Sequence, residues 1–310
     1  MERRHFLKNT ALTVGATSLF NTSFATENTS KVVKNSFKLK YAPHFGMFEN
    51  NAGKDLIDQL KFMADQGFTA MEDNGMMGRT TEMQTKIGET MAKLGMTMGV
   101  FVHNFDNWPV STSLTSGNKE WREKFIKQSH AAVEVAKRVN AKWITVVPGN
   151  YDRTLPIGIQ TAHVIETLRQ GAAIFEPHGL VMVLEALSDT PDLFLRYTDQ
   201  TFMICKAVNS PSCKFLFDMY HMQRNEGNII KNIDLVWDET GYFQIGDNPG
   251  RKEPTSGEMN YKKIFQHIYK KAKASGRDFV FGMEHGNAQP GKEGEMALIK
   301  AYVESDNFEI

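Results

Sequence analysis

KFLFDMYHMQRNEGNIIKNIDLVWDETGYFQIGDNPGRKEPTSGEMNY, residues 214–261, holds two short apolar runs, each breaking into polar, Gly-rich sequence just after a side chain able to hold a metal. Asp218 closes the first run and Gln244 lies in the second. A polar ligand at the end of an otherwise buried strand is what the C-terminal rim of a parallel barrel presents as an active site.

Outward from that stretch, apolar runs recur at 39–45, 70–73, 97–103, 143–147, 181–186, 215–219, 242–245 and 279–284. They are continuous rather than alternating, the pattern of strands covered on both faces. Stretches of helical period fill the gaps at 54–66, 82–94, 120–139, 160–176, 199–208, 261–275 and 293–303; in the first, Leu56, Leu60, Met63 and Ala64 share a face. Gly67, Gly95, Gly179 and Gly276 stand where a helix should stop before the next strand. Eight such alternations predict an α/β fold, a single-domain (β/α)8 TIM barrel over 37–310, since such barrels commonly need about 250 residues.

Hydrophobic residues at 41% and charged residues at 23% supply enough apolar material for one large core. Thirty-six basic residues balance thirty-six acidic ones, so no net field favours nucleic acid or an anionic membrane, and a small molecule is the expected partner. The first residues read as an address: Arg3-Arg4-His5-Phe6-Leu7-Lys8 is a twin-arginine pattern, followed by a weakly apolar run to Phe20 and by Ser23-Phe24-Ala25. The expectation is a twin-arginine signal peptide over 1–25, a polar tether over 26–36 and a periplasmic barrel. The apolar run is too short, and too rich in Thr, Ser and Gly, for a membrane span of about 20 residues. Cys205 and Cys213 are too few for a disulfide framework; they either pair with each other or remain thiols. A homo-oligomer is compatible with all of this.

The strand ends offer His44, Glu72, His103 with Asn104, Glu185, Asp218 with His221, Gln244 with Asp247, and Glu284 with His285. Glu185, Asp218, Gln244 and Glu284 come one each from the last four strands, whose ends lie side by side on one rim of a closed barrel. Three carboxylates and an amide, with no cysteine, make a hard oxygen set expected to hold one divalent metal ion, manganese or magnesium ahead of zinc. Singly, each acid has a plain structural explanation as a helix cap or ion-pair partner. Four at equivalent places are harder to explain in that way. Glu185 and Glu284 directly follow Met182-Val183-Leu184 and Phe281-Gly282-Met283, where an ionised carboxylate is costly unless a cation or strong donor compensates it. Two carboxylates on opposite sides of a hydroxy-carbonyl compound suggest proton transfer at carbon through an enediolate. One Glu removes the proton and the other returns it, to the neighbouring carbon in an isomerase or to the opposite face in an epimerase.

Asp218-Met219-Tyr220-His221-Met222-Gln223-Arg224 and Gln244-Ile245-Gly246-Asp247-Asn248-Pro249-Gly250-Arg251, with Glu253-Pro254 and Gly257-Glu258-Met259-Asn260-Tyr261 beyond them, resemble the hydroxypyruvate isomerase family. That family lies within the xylose-isomerase-like barrels, which also contain ketose 3-epimerases. The likeness is dense over 214–265 and looser elsewhere, where His103-Asn104 and Glu185 also fit. It implies a divalent metal held by Glu185, Asp218, Gln244 and Glu284, with Glu185 and Glu284 as the acid/base pair and His221 and Arg251 on substrate oxygens. Glu253 and Glu258 either touch substrate or hold the Gly-rich loop; His44 and His103 lie on the rim as further substrate contacts.

After the last glutamate the comparable isomerases carry an aromatic and then a basic residue, whereas this chain has His285-Gly286-Asn287, with Lys292 further along as a replacement cation. That departure and the export signal point towards a periplasmic carbohydrate or hydroxy-carbonyl compound. The expected function is an aldose–ketose isomerase of hydroxypyruvate-isomerase type in the broad sense. The alternatives are a ketose 3-epimerase or sugar-acid epimerase and a non-catalytic sugar-binding barrel. Metal-assisted hydrolysis, as in endonuclease relatives of this barrel type, needs a His-rich multi-zinc site and a basic groove, and the sequence shows neither.

Overall fold

The computed structural model describes residues 34–103 and 111–310. The expected signal peptide, residues 26–33 of the tether, and Asn104 lie outside the described residues. Lys34–Ile310 forms one compact unit. Asn35, within the expected tether, donates from its side-chain amide to the Gln66 carbonyl at 3.0 Å.

Among the described residues nine parallel segments make the barrel: β1 Lys40–Ala42, β2 Ala70–Met71, β3 Thr97–Met98, β4 Val100–Val102, β5 Trp143–Val146, β6 Val181–Glu185, β7 Cys213–Asp218, β8 Thr240–Gln244 and β9 Val280–Gly282. The sheet runs β1-β9-β8-β7-β6-β5-β4, and β2 pairs with β3. A parallel bridge from His44 to Glu72, with the Glu72 amide donating to the Pro43 carbonyl at 3.0 Å, joins the ends of β1 and β2 and closes the ring. The stave expected as one run over 97–103 is interrupted at Gly99. A Cβ there would lie 2.4 Å from the Tyr242 hydroxyl, which fills the barrel at that level.

Ten helices lie among the described residues: α1 Glu49–Ala52, α2 Leu56–Asp65, α3 Thr81–Leu94, α4 Lys119–Val139, α5 Ile157–Phe175, α6 Thr198–Val208, α7 Met219–Asn225, α8 Ile229–Val236, α9 Tyr261–Ser275 and α10 Gly291–Asp306. The seven expected helices are present. α3 and α9 end on left-handed Gly95 and Gly276, as their positions predicted. Helices α1, α7 and α8 were not expected. α7 starts inside the polar stretch after β7 because Asp218 caps it, accepting from the amides of Tyr220 and His221 at 2.7 and 3.3 Å. No described helix is long and apolar enough to cross a membrane.

Two apolar layers result. Ala42, Ala70, Val100, Val183, Leu216, Tyr242 and Val280 fill the inside of the barrel. A larger layer, including Phe101, Ile144, Met182, Leu184, Phe215, Phe217, Phe243 and Phe281, packs the outer sheet face against the helices. Each large side chain so buried contributes about 1.5–3 kcal/mol. Cys205 and Cys213 are both buried in this outer layer as free thiols. Burial first, and then Cys213 beside it, holds the Cys205 thiol well above its ordinary range.

At the opposite end from the rim, Asp306 is buried at the end of α10 and accepts from the Lys38 amide at 2.6 Å, the Leu39 amide at 3.3 Å and the Tyr41 hydroxyl at 2.8 Å.

Candidate active site

Alternation along each strand decides which residues face the barrel axis. Val183, Leu216, Tyr242 and Val280 point inward. Two residues on from the first three come Glu185, Asp218 and Gln244; four on from Val280 comes Glu284. One donor atom each from Glu185, Asp218, His221 and Glu284 fall within 4.8 Å of one another. Gln244 belongs to the same rim, paired in register with Asp218 on one side and Gly282 on the other. The structure thus gathers the three expected carboxylates and adds His221 to them.

The donor set is one that could hold a cation. Glu185 Oε1, Asp218 Oδ2 and Gln244 Oε1 are buried acceptors with no hydrogen-bond donor. Buried polar atoms are ordinarily paired, so three unpaired oxygens facing one rim fit a bound cation that supplies the missing positive charge. Asp218 does two jobs at once: Oδ1 caps α7, and Oδ2 is left for the site.

The electrostatics follow from the crowding. Burial, and then the charges of Glu284 and Asp218, hold the Glu185 carboxyl well above the usual range. Burial also raises Asp218, opposed by Arg251 and by the two capping amides. Burial raises Glu284, opposed by Arg251. Arg251 Nη2 lies 2.8 Å from Glu284 Oε2 and 3.6 Å from Asp218 Oδ2, and its guanidinium stacks 5.0 Å above the Tyr220 ring. Its backbone sits in the left-handed region, φ 49°, a costly conformation for a residue with a side chain. His221 is fully buried, and burial, then Arg251, lowers it to about 4, so its imidazole is neutral.

The other expected contacts are placed differently. His103 shares the parity of Phe101, which belongs to the outer layer, so its ring stacks on Phe125 at 4.5 Å and Nε2 lies 2.9 Å from Ser129 Oγ in α4. The structure does not bring it to the rim group; burial lowers it to about 3. Glu253 is buried and accepts from the Ala288 amide at 2.8 Å, which ties the loop after β8 to the loop after β9 and matches its structural alternative. Glu258 is exposed and takes a 3.4 Å bond from Gln223. His44 Nε2 lies 3.3 Å from the His285 carbonyl. His285, which follows the last glutamate, turns away to the Tyr302 hydroxyl at 2.6 Å, and burial lowers it to about 3. Lys292 has its carbonyl bonded to Asn51 at the start of α10.

Three supporting residues were not assigned from sequence. Asn74 donates to Glu284 Oε1 at 3.0 Å. Ser188 holds His221 from behind, its amide 3.1 Å and its Oγ 2.8 Å from Nδ1. Glu72, two residues beyond inward-facing Ala70, reaches across the barrel to accept from the Tyr242 hydroxyl at 3.1 Å and from Gln244 Nε2 at 3.5 Å. The Gln244 amide nitrogen is thereby taken up, and its oxygen is left without a donor. Burial, then Glu284, keeps the Glu72 carboxyl well above its usual range. Glu72 fits only because residue 282 is glycine: a Cβ there would lie 2.0 Å from Glu72 Oε2. Gly282→Ala is therefore expected to destabilise the protein by about 1–3 kcal/mol, the usual cost of overpacking, read as a lowered midpoint in chemical denaturation. An unchanged midpoint would show that Glu72 has room to move.

A family profile described as a xylose isomerase-like TIM barrel matches residues 60–302. Hydroxypyruvate isomerase of Escherichia coli is 31% identical over 152 residues, which are 47% of this chain and 57% of that enzyme. The chain thus spans little more than half of that relative's length. 2-Oxo-tetronate isomerase of Pectobacterium atrosepticum is 25% identical over 231 residues, 74% of this chain and 86% of that enzyme. Among solved structures, a family 2 AP endonuclease from Brucella melitensis superposes with a TM-score of 0.73 at 20% identity, covering 85% of this chain and 99% of that one. At that identity the likeness is one of fold.

Proposed function

The chain belongs to the xylose isomerase-like TIM barrel family, and from that premise we propose that it is a metal-dependent isomerase of hydroxypyruvate-isomerase type, acting on a small hydroxy-aldehyde, hydroxy-ketone or sugar through an enediolate. The observation that carries this reading is the set of three buried, donorless oxygens on Glu185, Asp218 and Gln244, with Glu284 beside them. These four residues would hold one divalent ion, manganese or magnesium given an all-oxygen set. When bound, it would polarise a substrate carbonyl and neighbouring hydroxyl and make the proton between them more acidic.

The proton work falls to Glu185 and Glu284. Their surroundings differ: Glu284 accepts from Arg251 at 2.8 Å and Asn74 at 3.0 Å, while Glu185 Oε1 has no donor. Unequal surroundings are what separate the acid from the base in a carboxylate pair. Arg251 and His221 stand beside the pair to bind substrate oxygens, their nitrogens 3.1 Å apart. Names of relatives, isomerases of hydroxypyruvate and of 2-oxo-tetronate, support a small hydroxy-carbonyl substrate. The reading also places the reaction in the periplasm, on the strength of the twin-arginine pattern at Arg3-Arg4; cell fractionation checks that part.

The direct test is substrate proton exchange. Small sugars, sugar acids and hydroxypyruvate, incubated in deuterated water with protein loaded with manganese or magnesium, are expected to gain deuterium beside the carbonyl. This holds for isomerisation and epimerisation alike. No exchange with any of them would leave a sugar-binding barrel without turnover.

A further inference from the structure

Resting on the isomerase reading above, one feature of the site goes further: where His221 carries its hydrogen. His221 Nε2 lies 3.6 Å from Asp218 Oδ2 and 3.9 Å from Glu185 Oε1, among the oxygens proposed to hold the cation. Position alone therefore allows opposite roles. With a lone pair on Nε2, His221 would be a further cation ligand; with a hydrogen there, it is a donor for an oxygen acceptor.

The far side of the ring decides. The Ser188 backbone N–H points at Nδ1 from 3.1 Å, and Ser188 Oγ lies 2.8 Å from the same nitrogen. A backbone N–H only donates, so Nδ1 has to present its lone pair. The hydroxyl can rotate to suit either state; the amide cannot. An uncharged imidazole with a lone pair on Nδ1 carries its hydrogen on Nε2. The surroundings of Nε2 agree, since carboxylate oxygens of Asp218, Glu185 and Asp189 face it at 3.6, 3.9 and 4.0 Å.

One neighbour opposes this arrangement. Arg251 Nη2, also a donor, stands 3.1 Å from Nε2. Two N–H groups do not bond each other, but both can bond an acceptor placed between them. Of the two side chains, His221 is fully buried and Arg251 is 31% exposed, so Arg251 is the one with room to shift.

We propose that Ser188 is a positioning residue that fixes His221 as the Nε2–H tautomer. That tautomer supplies the donor that the substrate contact proposed for His221 requires, and it leaves no lone pair on Nε2 for the cation.

The test is nitrogen NMR on the full chain labelled with ring-15N histidine, with the His221 signals identified by their absence in His221→Asn. The expected spectrum shows Nδ1 unprotonated and Nε2 protonated, before and after magnesium is added. A protonated Nδ1, or an Nε2 that loses its hydrogen on magnesium addition, overturns the proposal. Ser188→Ala keeps the amide donor and should keep the tautomer. Ser188→Pro removes that donor, and should populate the Nδ1–H form and raise KM about tenfold, the equivalent of one hydrogen bond, with a smaller change in kcat. A folded Ser188→Pro protein with an unchanged tautomer removes the role of Ser188. If that variant does not fold, the wild-type and Ser188→Ala spectra still decide. The spectrum reads a hydrogen position without turnover, so a negative exchange screen would sink the isomerase reading and the substrate contact but leave the tautomer and the role of Ser188 standing.

Discussion

Glu284→Gln is expected to slow substrate proton exchange by at least about a hundredfold, general acid–base catalysis being worth roughly 10²–10⁴, while the barrel stays folded. Glutamine keeps the shape of the side chain and can still receive the Asn74 amide, which now sits 3.0 Å from Oε1. It cannot accept a proton at neutral pH, and it loses the charge that Arg251 meets at 2.8 Å. The fold should tolerate the change because it removes one negative group from a crowded site: Glu284 is among the charges that raise Glu185 and Glu72. Glu185→Gln should behave likewise in activity. Exchange rates and thermal midpoints of both variants check this together. Wild-type exchange in either one would strip that residue of its role, and loss of exchange with a collapsed midpoint would point to folding instead.

The second large effect concerns stability of the metal-free protein against pH. Glu185, Asp218 and Glu284 are all raised from ordinary values of 4.5, 3.8 and 4.5. A carboxyl with a raised folded pKa contributes stability that is fully present below its unfolded value and is lost as pH rises through the folded one. With a chelator present, the protein should therefore be most stable in mild acid and weaken from about pH 4 upwards. Manganese or magnesium replaces those protons and should reverse the trend. At a hundredfold excess over Kd the gain is about 2.7 kcal/mol, visible as a higher thermal midpoint at pH 8 than with chelator. Asp218→Asn should abolish that gain. A midpoint indifferent to the divalent ion at pH 8 would remove the cation site.

Much of the barrel was legible because its strands are buried on both faces and read as unbroken apolar runs, several of which end on a residue gathered at the rim. Glu185, Asp218 and Glu284 were found that way, and the structure brings them together. His103, expected on the rim, packs instead against Phe125 and Ser129, because strand ends do not all face inward. The facing of the strand decides: Val100 lies inside the barrel and Phe101 outside it, and His103 follows the parity of Phe101. α7 was hidden because Asp218 looked like the end of a strand, and nothing local reveals that one of its oxygens caps a helix while the other is left without a donor. Glu72 stood among the strand ends without a part to play. Its link to Gln244 spans 172 positions and depends on the notch at Gly282, a relation that no local pattern encodes.

The buried Asp306 has a bearing on how the molecule comes to be made. It holds the amides of Lys38 and Leu39, while one edge of β1 is joined near β2 and the other is sealed by β9 at Val280–Gly282. During synthesis the first stave therefore lacks its β9 neighbour until some 240 further residues have been added, and its Asp306 clasp, 268 positions on from Lys38, comes later still. Contacts so distant in sequence close late, because loop entropy has to be overcome before they form. A ribosome-bound chain halted short of residue 280 should present its opening strand as an unsealed edge, accessible to chaperones and proteases. Closure of the seam would then mark the moment at which the barrel passes from a growing sheet to a finished protein.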